Sequence, residues 1–299
     1  MDAFYCHHFA LPLPEGHGFP MAKYHLLHER VAAHADAWGI RLAEPPPATD
    51  DDLLRVHCPA YVARMLSGNA GHDEMRRIGF PWSERMVERS RRSSGGTIMA
   101  LRSALAGGGI AANLAGGTHH ASFGRGGGYC VFNDSVIAAR HAQHHGLARR
   151  LLVIDLDVHH GNGTAELCAG DDSIYTFSMH GARNYPARKP DSNLDLALPT
   201  GTGDAEYLDC LARYLPIAIG DSGADAVIYL AGADPFLGDR LGHLALTKAG
   251  LLERDRQVFR ACRGLGLPVA VTMAGGYAAR VEDIVDIHEQ TIRLAARMA

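Results

Sequence analysis

Two carboxylates and two imidazoles stand close together at the end of an apolar run, in the segment Leu151-Leu-Val-Ile-Asp155-Leu-Asp157-Val-His159-His160-Gly-Asn162-Gly163. Carboxylate oxygen and imidazole nitrogen are ligands for a catalytic divalent metal. A short apolar run bounded by a Gly-Asn-Gly turn reads as a buried parallel strand. Strand side chains alternate faces, so Asp155, Asp157 and His159 are expected on one side. His160 then points to the other side and reads as structural. Three more segments set a reactive residue beside glycine: Gly116-Gly-Thr-His119-His120, Gly232-Ala-Asp234 and Ala274-Gly275-Gly276-Tyr277. Glycine lets backbone approach a ligand closely. Asp157, His159 and Asp234 would supply three ligands and leave a fourth position open, the pattern of a catalytic zinc site. A water bound there has its pKa lowered toward ~7, so His119 or His120 is suited to take its proton. Asp155 and Asn162 are candidates to orient those two imidazoles. Tyr277 is placed to donate a hydrogen bond to an oxyanion.

The elements that must position these residues follow a β-then-α rhythm. Strands are expected near residues 3–9, 110–114, 151–156, 173–179, 194–198, 225–231 and 268–273. Helices are expected over 21–38, 49–56, 59–66, 93–105, 133–145, 204–214, 247–263 and 281–298, with Pro216 disturbing the end of the helix over 204–214. Residues 68–92 are polar, and Arg85, Arg89, Arg91 and Arg92 read as a solvated helix face. His7, His8, His144 and His145 read as surface or packing histidines. Alternation of strands with helices implies an α/β protein with a mostly parallel sheet covered on both faces. Open sheets of that kind bind ligands at the C-terminal ends of their strands. No linker or repeat interrupts residues 1–299, which are expected to form one domain.

The 299 residues are 47% hydrophobic, with a formal net charge of -4. That balance gives no electrostatic case for a nucleic-acid partner. Scattered cysteines without a C-x-x-C pair fit a reducing compartment. No signal peptide is visible, and no apolar run reaches the ~18 residues of a membrane span. A cytoplasmic protein without membrane insertion is expected.

The same segments resemble the zinc-dependent histone deacetylase family, and the likeness covers nearly the whole chain. It implies a single-domain arginase/deacetylase-like α/β fold. It implies Zn2+ held by Asp157, His159 and Asp234, tandem His119 and His120 backed by Asp155 and Asn162, and a catalytic Tyr277. Asn162 stands where class I members have Asp, and an amide cannot supply the charge that raises imidazole basicity. The resemblance further implies substrate contacts at Gly128, Tyr129, Tyr185, Gly275 and Gly276. It adds a K+ or Na+ site at Asp155, Asp157, His159 and Ser178. The segments Gly238-Asp-Arg-Leu-Gly242, Glu253-Arg-Asp-Arg-Gln-Val-Phe259 and Ser94-Gly-Gly-Thr-Ile-Met99 are most similar to the class IV branch, as in a bacterial homologue. That branch favours long acyl groups. The implied reaction removes acetyl or longer acyl groups from the ε-amine of lysine, with His120 as main base and acid and His119 mainly electrostatic. An acetylpolyamine or another small acylated amine is an alternative substrate, and would want an acidic channel mouth, for which Glu15, Asp73 and Glu74 are the candidates. A non-catalytic acyl-lysine binding module is opposed by the intact ligand set and Tyr277. A two-metal arginase-like hydrolase would need more bridging carboxylates.

Overall fold

Short runs of Leu, Val, Ile and Ala form the central strands. The protein, described over residues 1–299 by a computed structural model, has eight: β1 (Asp2–Phe4), β2 (Arg41–Ala43), β3 (Ile110–Asn113), β4 (Leu151–Asp155), β5 (Ile174–Gly181), β6 (Leu194–Leu198), β7 (Ala226–Leu230) and β8 (Val269–Thr272). They form one sheet in the order β2-β1-β3-β8-β7-β4-β5-β6. Every pairing is parallel, so the expected mostly parallel sheet is wholly parallel. Ten helices join the strands: α1 (Ala22–Trp38), α2 (Asp50–Leu54), α3 (Pro59–Ser67), α4 (His72–Ile78), α5 (Glu84–Gly107), α6 (Asp134–His144), α7 (Asn162–Cys168), α8 (Asp204–Ser222), α9 (Lys248–Gly264) and α10 (Val281–Met298).

The pleat divides the core in two. Leu152 and Ile154 of β4, Val227 and Tyr229 of β7, and Val269 and Val271 of β8 face α1, α8, α9 and α10. Leu151, Val153, Ala226, Ile228 and Ala270 face the other way, toward α2, α3, α5 and α6. Each buried aliphatic side chain contributes roughly 1.5–3 kcal/mol. Both faces need cover, which is why β3, β4, β7 and β8 have no exposed position.

Several expectations are corrected. The first strand stops at Phe4, and His7–Phe9 is a 3-10 turn. The edge strand β2 and the short helices α4 and α7 carry too little periodicity to be read in advance. The helix expected from Ser93 begins at Glu84, where Ser83 Oγ accepts from Met86 N at 3.1 Å. The helix expected to stop at Tyr214, its end disturbed by Pro216, instead runs through that proline to Ser222 as α8. Pro216 and Ala212 lie on the exposed face, so the carbonyl that loses its helical donor meets water. The arginine cluster is not simply a solvated face. Arg89 is buried with its guanidinium 4.5 Å from the Tyr24 ring centroid, and Arg85, Arg91 and Arg92 bond loop carbonyls at Ala10, Ala48 and Pro45.

The central pair β7 and β4 opens at its C-terminal end toward Asp157 and Asp234. A fully buried arginine ties the two ends together. Arg254 donates to Gly232 O at 2.6 Å and Leu156 O at 3.4 Å, and its Nε donates to Asp255 at 2.9 Å. Asp255 also accepts from Tyr229 Oη at 2.5 Å and Thr291 Oγ1 at 2.6 Å. Removing one partner of a buried pair leaves an uncompensated charge. Arg254→Met is therefore expected to cost roughly 3–5 kcal/mol, measured as a lower urea midpoint. A midpoint equal to that of the wild type would show that the pairing does not hold the strand ends.

Candidate active site

β4 ends at Asp155, so alternation along a strand does not carry Asp157 and His159 inward. Hydrogen bonds from backbone to carboxylate do that work. Asp157 N donates to Asp155 Oδ1 at 3.2 Å, and His159 N to Asp157 Oδ1 at 2.9 Å. Val158 N donates to Asp234 Oδ1 at 2.9 Å, and Gly275 N to Asp157 Oδ2 at 2.7 Å. The donor atoms of Asp157, His159 and Asp234 thus lie within 4.8 Å of one another, all buried. Gly275 cannot carry a side chain, since a Cβ there would lie 1.8 Å from Asp234 Oδ2.

This set fits a cation. Asp234 Oδ2 is buried and accepts no hydrogen bond. Burial and the neighbouring Asp157 carboxylate push the Asp234 carboxyl above its usual range. His159 Nδ1 sits 3.0 Å from Asp157 Oδ1 and 3.2 Å from Asp234 Oδ2. Burial opposes its charged form, yet the two carboxylates lift its pKa to about 10. Two oxygens and a nitrogen that together demand positive charge are a suitable donor set for zinc.

The tandem histidines ride on a turn built around Asp134, the first residue of α6. This buried carboxylate accepts from Gly117 N at 3.0 Å, Thr118 N at 2.7 Å, Thr118 Oγ1 at 2.7 Å and Thr97 Oγ1 at 2.6 Å. His119 Nδ1 then meets Asp155 Oδ2 at 2.7 Å, and His120 Nδ1 meets Asn162 Oδ1 at 2.7 Å. The two imidazoles part in charge. Burial works against a charged His119, but Asp155 and Asp157 outweigh it and raise its pKa to about 9. Burial, His119 and His159 all push His120 well below the usual imidazole value. Gly128 packs against that ring, at φ +52°, and a Cβ there would lie 2.5 Å from His120 Cδ2.

Tyr277 has its own support. Its N–H donates to Asp239 Oδ2 at 2.6 Å, and its carbonyl accepts from Arg240 Nε at 2.9 Å. Asp239 also accepts from Leu241 N and Gly242 N. Burial, with Asp157 and Asp234 nearby, raises the phenol well above its usual pKa, so it stays a donor. Asp134, Asp239 and Arg240 lie outside the residues that the sequence singles out for a role. Asp239 and Arg240 fall inside the quoted Gly238–Gly242 motif, which was the available signal.

Two cavities meet here. The inner one, about 30 Å³, touches His119, His120, Asp157, His159, Gly275 and Tyr277. The outer groove, about 500 Å³, is lined by Tyr129, Tyr185, Gly128, His120, His159 and Tyr277, with Arg76 and Arg77 at its rim. Tyr185 stands edge-on to His120, with ring centroids 4.8 Å apart. Gly276 lines neither cavity: its carbonyl accepts from Lys23 Nζ, and its Cα hydrogens face Ile284 and Ala233. Gly275 borders the inner cavity but turns its N–H to Asp157. Ser178 lies opposite Asp155 in strand register, with its hydroxyl on His180 Nδ1 at 2.9 Å.

A family model described as "Histone deacetylase domain" matches residues 17–292. The chain belongs to the histone deacetylase family. It is 43% identical over 287 residues to an uncharacterized protein of Picosynechococcus, covering 96% of this chain and 95% of that one. It is 33% identical to histone deacetylase 2 of Arabidopsis thaliana over 79% of this chain and 63% of the relative. With the acetoin utilization protein AcuC of Staphylococcus aureus it shares 28% identity, over 71% and 60% of the two chains. The crystal structure of the HDA15 HD domain superposes with a TM-score of 0.80 at 22% identity, covering 99% of this chain and 90% of that one, a likeness of fold.

The Asn162 contact makes a direct prediction. Asn162→Asp would place a carboxylate 2.7 Å from His120 Nδ1. An opposite charge at that range favours the imidazolium. A base must be neutral to act, so the acidic limb of the pH–rate profile is expected to move to higher pH. An unmoved limb would show that His120 is not the group whose protonation it reports.

Proposed function

We propose that this histone deacetylase domain, residues 1–299, is a zinc-dependent deacylase. It removes acetyl or longer acyl groups from the ε-amine of lysine. The observation that carries the reading is the meeting of the Asp157, His159 and Asp234 donors, two imidazoles of opposite charge preference and a protonated phenol around one cavity. Asp157, His159 and Asp234 would hold the ion. When bound, zinc supplies Lewis-acid polarisation of a carbonyl and lowers the pKa of water. Tyr277 donates to the carbonyl oxygen as negative charge develops there. His120, kept neutral, takes the proton of the attacking water and returns it to the leaving amine. His119, held charged by Asp155, stabilises the negative charge beside it. Tyr129 and Tyr185 flank the acyl-lysine chain, and the Gly128 carbonyl meets the amide N–H. A K+ or Na+ ion between Asp155 and Ser178, membership of the class IV branch and a bacterial, cytoplasmic setting belong to the same reading. No helix is long and apolar enough to cross a membrane.

The groove rim favours a peptide over a polyamine. Arg76 and Arg77 line it, and no carboxylate does. Asp73 pairs with Arg76 at 3.2 Å, and Glu74 is buried against Arg64 at 2.9 Å, so neither offers a free negative charge at the mouth, and Arg77 is the rim cation without an ion pair. Cationic rims repel cationic substrates.

Tyr277→Phe is expected to retain zinc and lower kcat by about 10²–10³ on acyl-lysine peptides, the scale of losing one oxyanion donor. Elemental analysis with steady-state kinetics checks both halves, and near-wild-type kcat would refute the assigned role. Chelation to below ~1% residual metal is expected to abolish turnover, and zinc to restore it. Activity that survived complete metal removal would overturn the zinc assignment.

A further inference from the structure

His160 is a neighbour of the ligand His159 but faces a different set of residues. Its Nε2 lies 3.2 Å from Asp195 Oδ1 on β6 and 3.5 Å from Ser192 Oγ. His180 of β5 sets its ring edge-on to His160, at 82° with centroids 4.7 Å apart. One ligand atom each from His160, His180 and Asp195 fall within 4.8 Å of one another. We propose that His160, His180 and Asp195 form a second site for a divalent transition metal, distinct from the catalytic ion.

Several observations support it. Two imidazole nitrogens and one carboxylate oxygen form a borderline donor set suited to zinc or cobalt rather than to magnesium or calcium. Bonds of 2.0–2.2 Å in a tetrahedron place ligand atoms roughly 3.3 Å apart, which the 3.2 Å His160–Asp195 separation matches. The histidines are both almost wholly buried. A hydrogen bond between His160 and Asp195 accounts for two members of the group, and the second imidazole is held at its Nδ1 by the Ser178 hydroxyl at 2.9 Å, which leaves only its Nε2 to ligate. Asp195, with its side chain 28% exposed, opens the site to solvent. Beside it a cleft of about 280 Å³ is lined by Ser192 and Asp191.

The site would join three pieces of chain at one edge of the sheet: the turn after β4, the end of β5 and the start of β6. His160 N donates to Tyr185 O at 3.2 Å, so the wall of the substrate groove hangs from the same residue. The chemical role is therefore bracing rather than catalysis.

The test is metal stoichiometry with the full chain, loaded with Zn2+ or Co2+ and desalted. The wild type is expected to hold two equivalents, and Asp195→Asn and His180→Ala one each. Asp234→Asn, which disrupts the catalytic set, should also hold one, and Asp234→Asn with Asp195→Asn none. The Co2+-loaded Asp234→Asn variant should show the visible absorption of a low-coordinate site, lost on adding His180→Ala. Asp195→Asn keeps the side-chain volume and guards against misfolding, which circular dichroism of each variant checks. A wild type with one equivalent, or two equivalents persisting in both Asp195→Asn and His180→Ala, would overturn the proposal. Deacylase activity is measured alongside. Two equivalents without turnover would sink the deacylase reading and leave this site standing.

Discussion

Asp157 and Asp234 are two carboxylates side by side in a wholly buried place, and much of the protein exists to keep them there. Isolated buried charges are costly unless hydrogen bonds or a cation compensate them. Val158 N and Gly275 N supply part of the compensation, from loops after β4 and β8. The rest must come from positive charge, and His159 and His119 are drawn toward it. Arg254 sits behind, gripping the carbonyls at the ends of β4 and β7. The parallel sheet makes this arrangement possible. It brings four strand ends from distant parts of the chain to one rim, where glycines let the backbone crowd in.

The same logic recurs one layer out. Asp134 gathers the turn that carries His119 and His120, and Asp239 gathers the turn that carries Tyr277. Each is a carboxylate used as a nucleus for backbone N–H groups. Neither touches a reacting atom, yet each fixes the direction of one that does. Preorganised donors work because they need no rearrangement when charge develops.

Much of this was legible in the sequence. The α/β rhythm was, since strands buried on both faces leave unbroken runs of Val, Ile and Leu. So was the meeting of Asp157, His159 and Asp234 with His119, His120 and Tyr277, because glycine beside Asp, His or Tyr at a strand end is a local signal. What stayed hidden was tertiary. Helices α4 and α7 are seven residues each, too short for a periodic pattern to stand out. The convergence of Asp157 with His159 was expected for the wrong reason, as strand alternation rather than as carboxylate-capped turns. The supporting roles of Asp134 and Arg254 lie in bonds to backbone far along the chain, which no spacing rule records. Gly276 was assigned to the substrate on resemblance, while its carbonyl in fact serves Lys23.

The amide at Asn162 has a meaning in formal charge balance. Around the proposed divalent site alone, before any monovalent cation is counted, Asp155, Asp157 and Asp234 would bring three negative charges, and a divalent ion with a protonated His119 three positive ones. The sum is zero with His120 neutral. An aspartate at position 162 would leave an excess negative charge, relieved most simply by a proton on His120. Asparagine therefore lets His120 remain neutral without leaving the site charged. Under the proposed reaction, an uncharged amide would then enter a neutral chamber, and a freed lysine ammonium would find no net anion there to detain it.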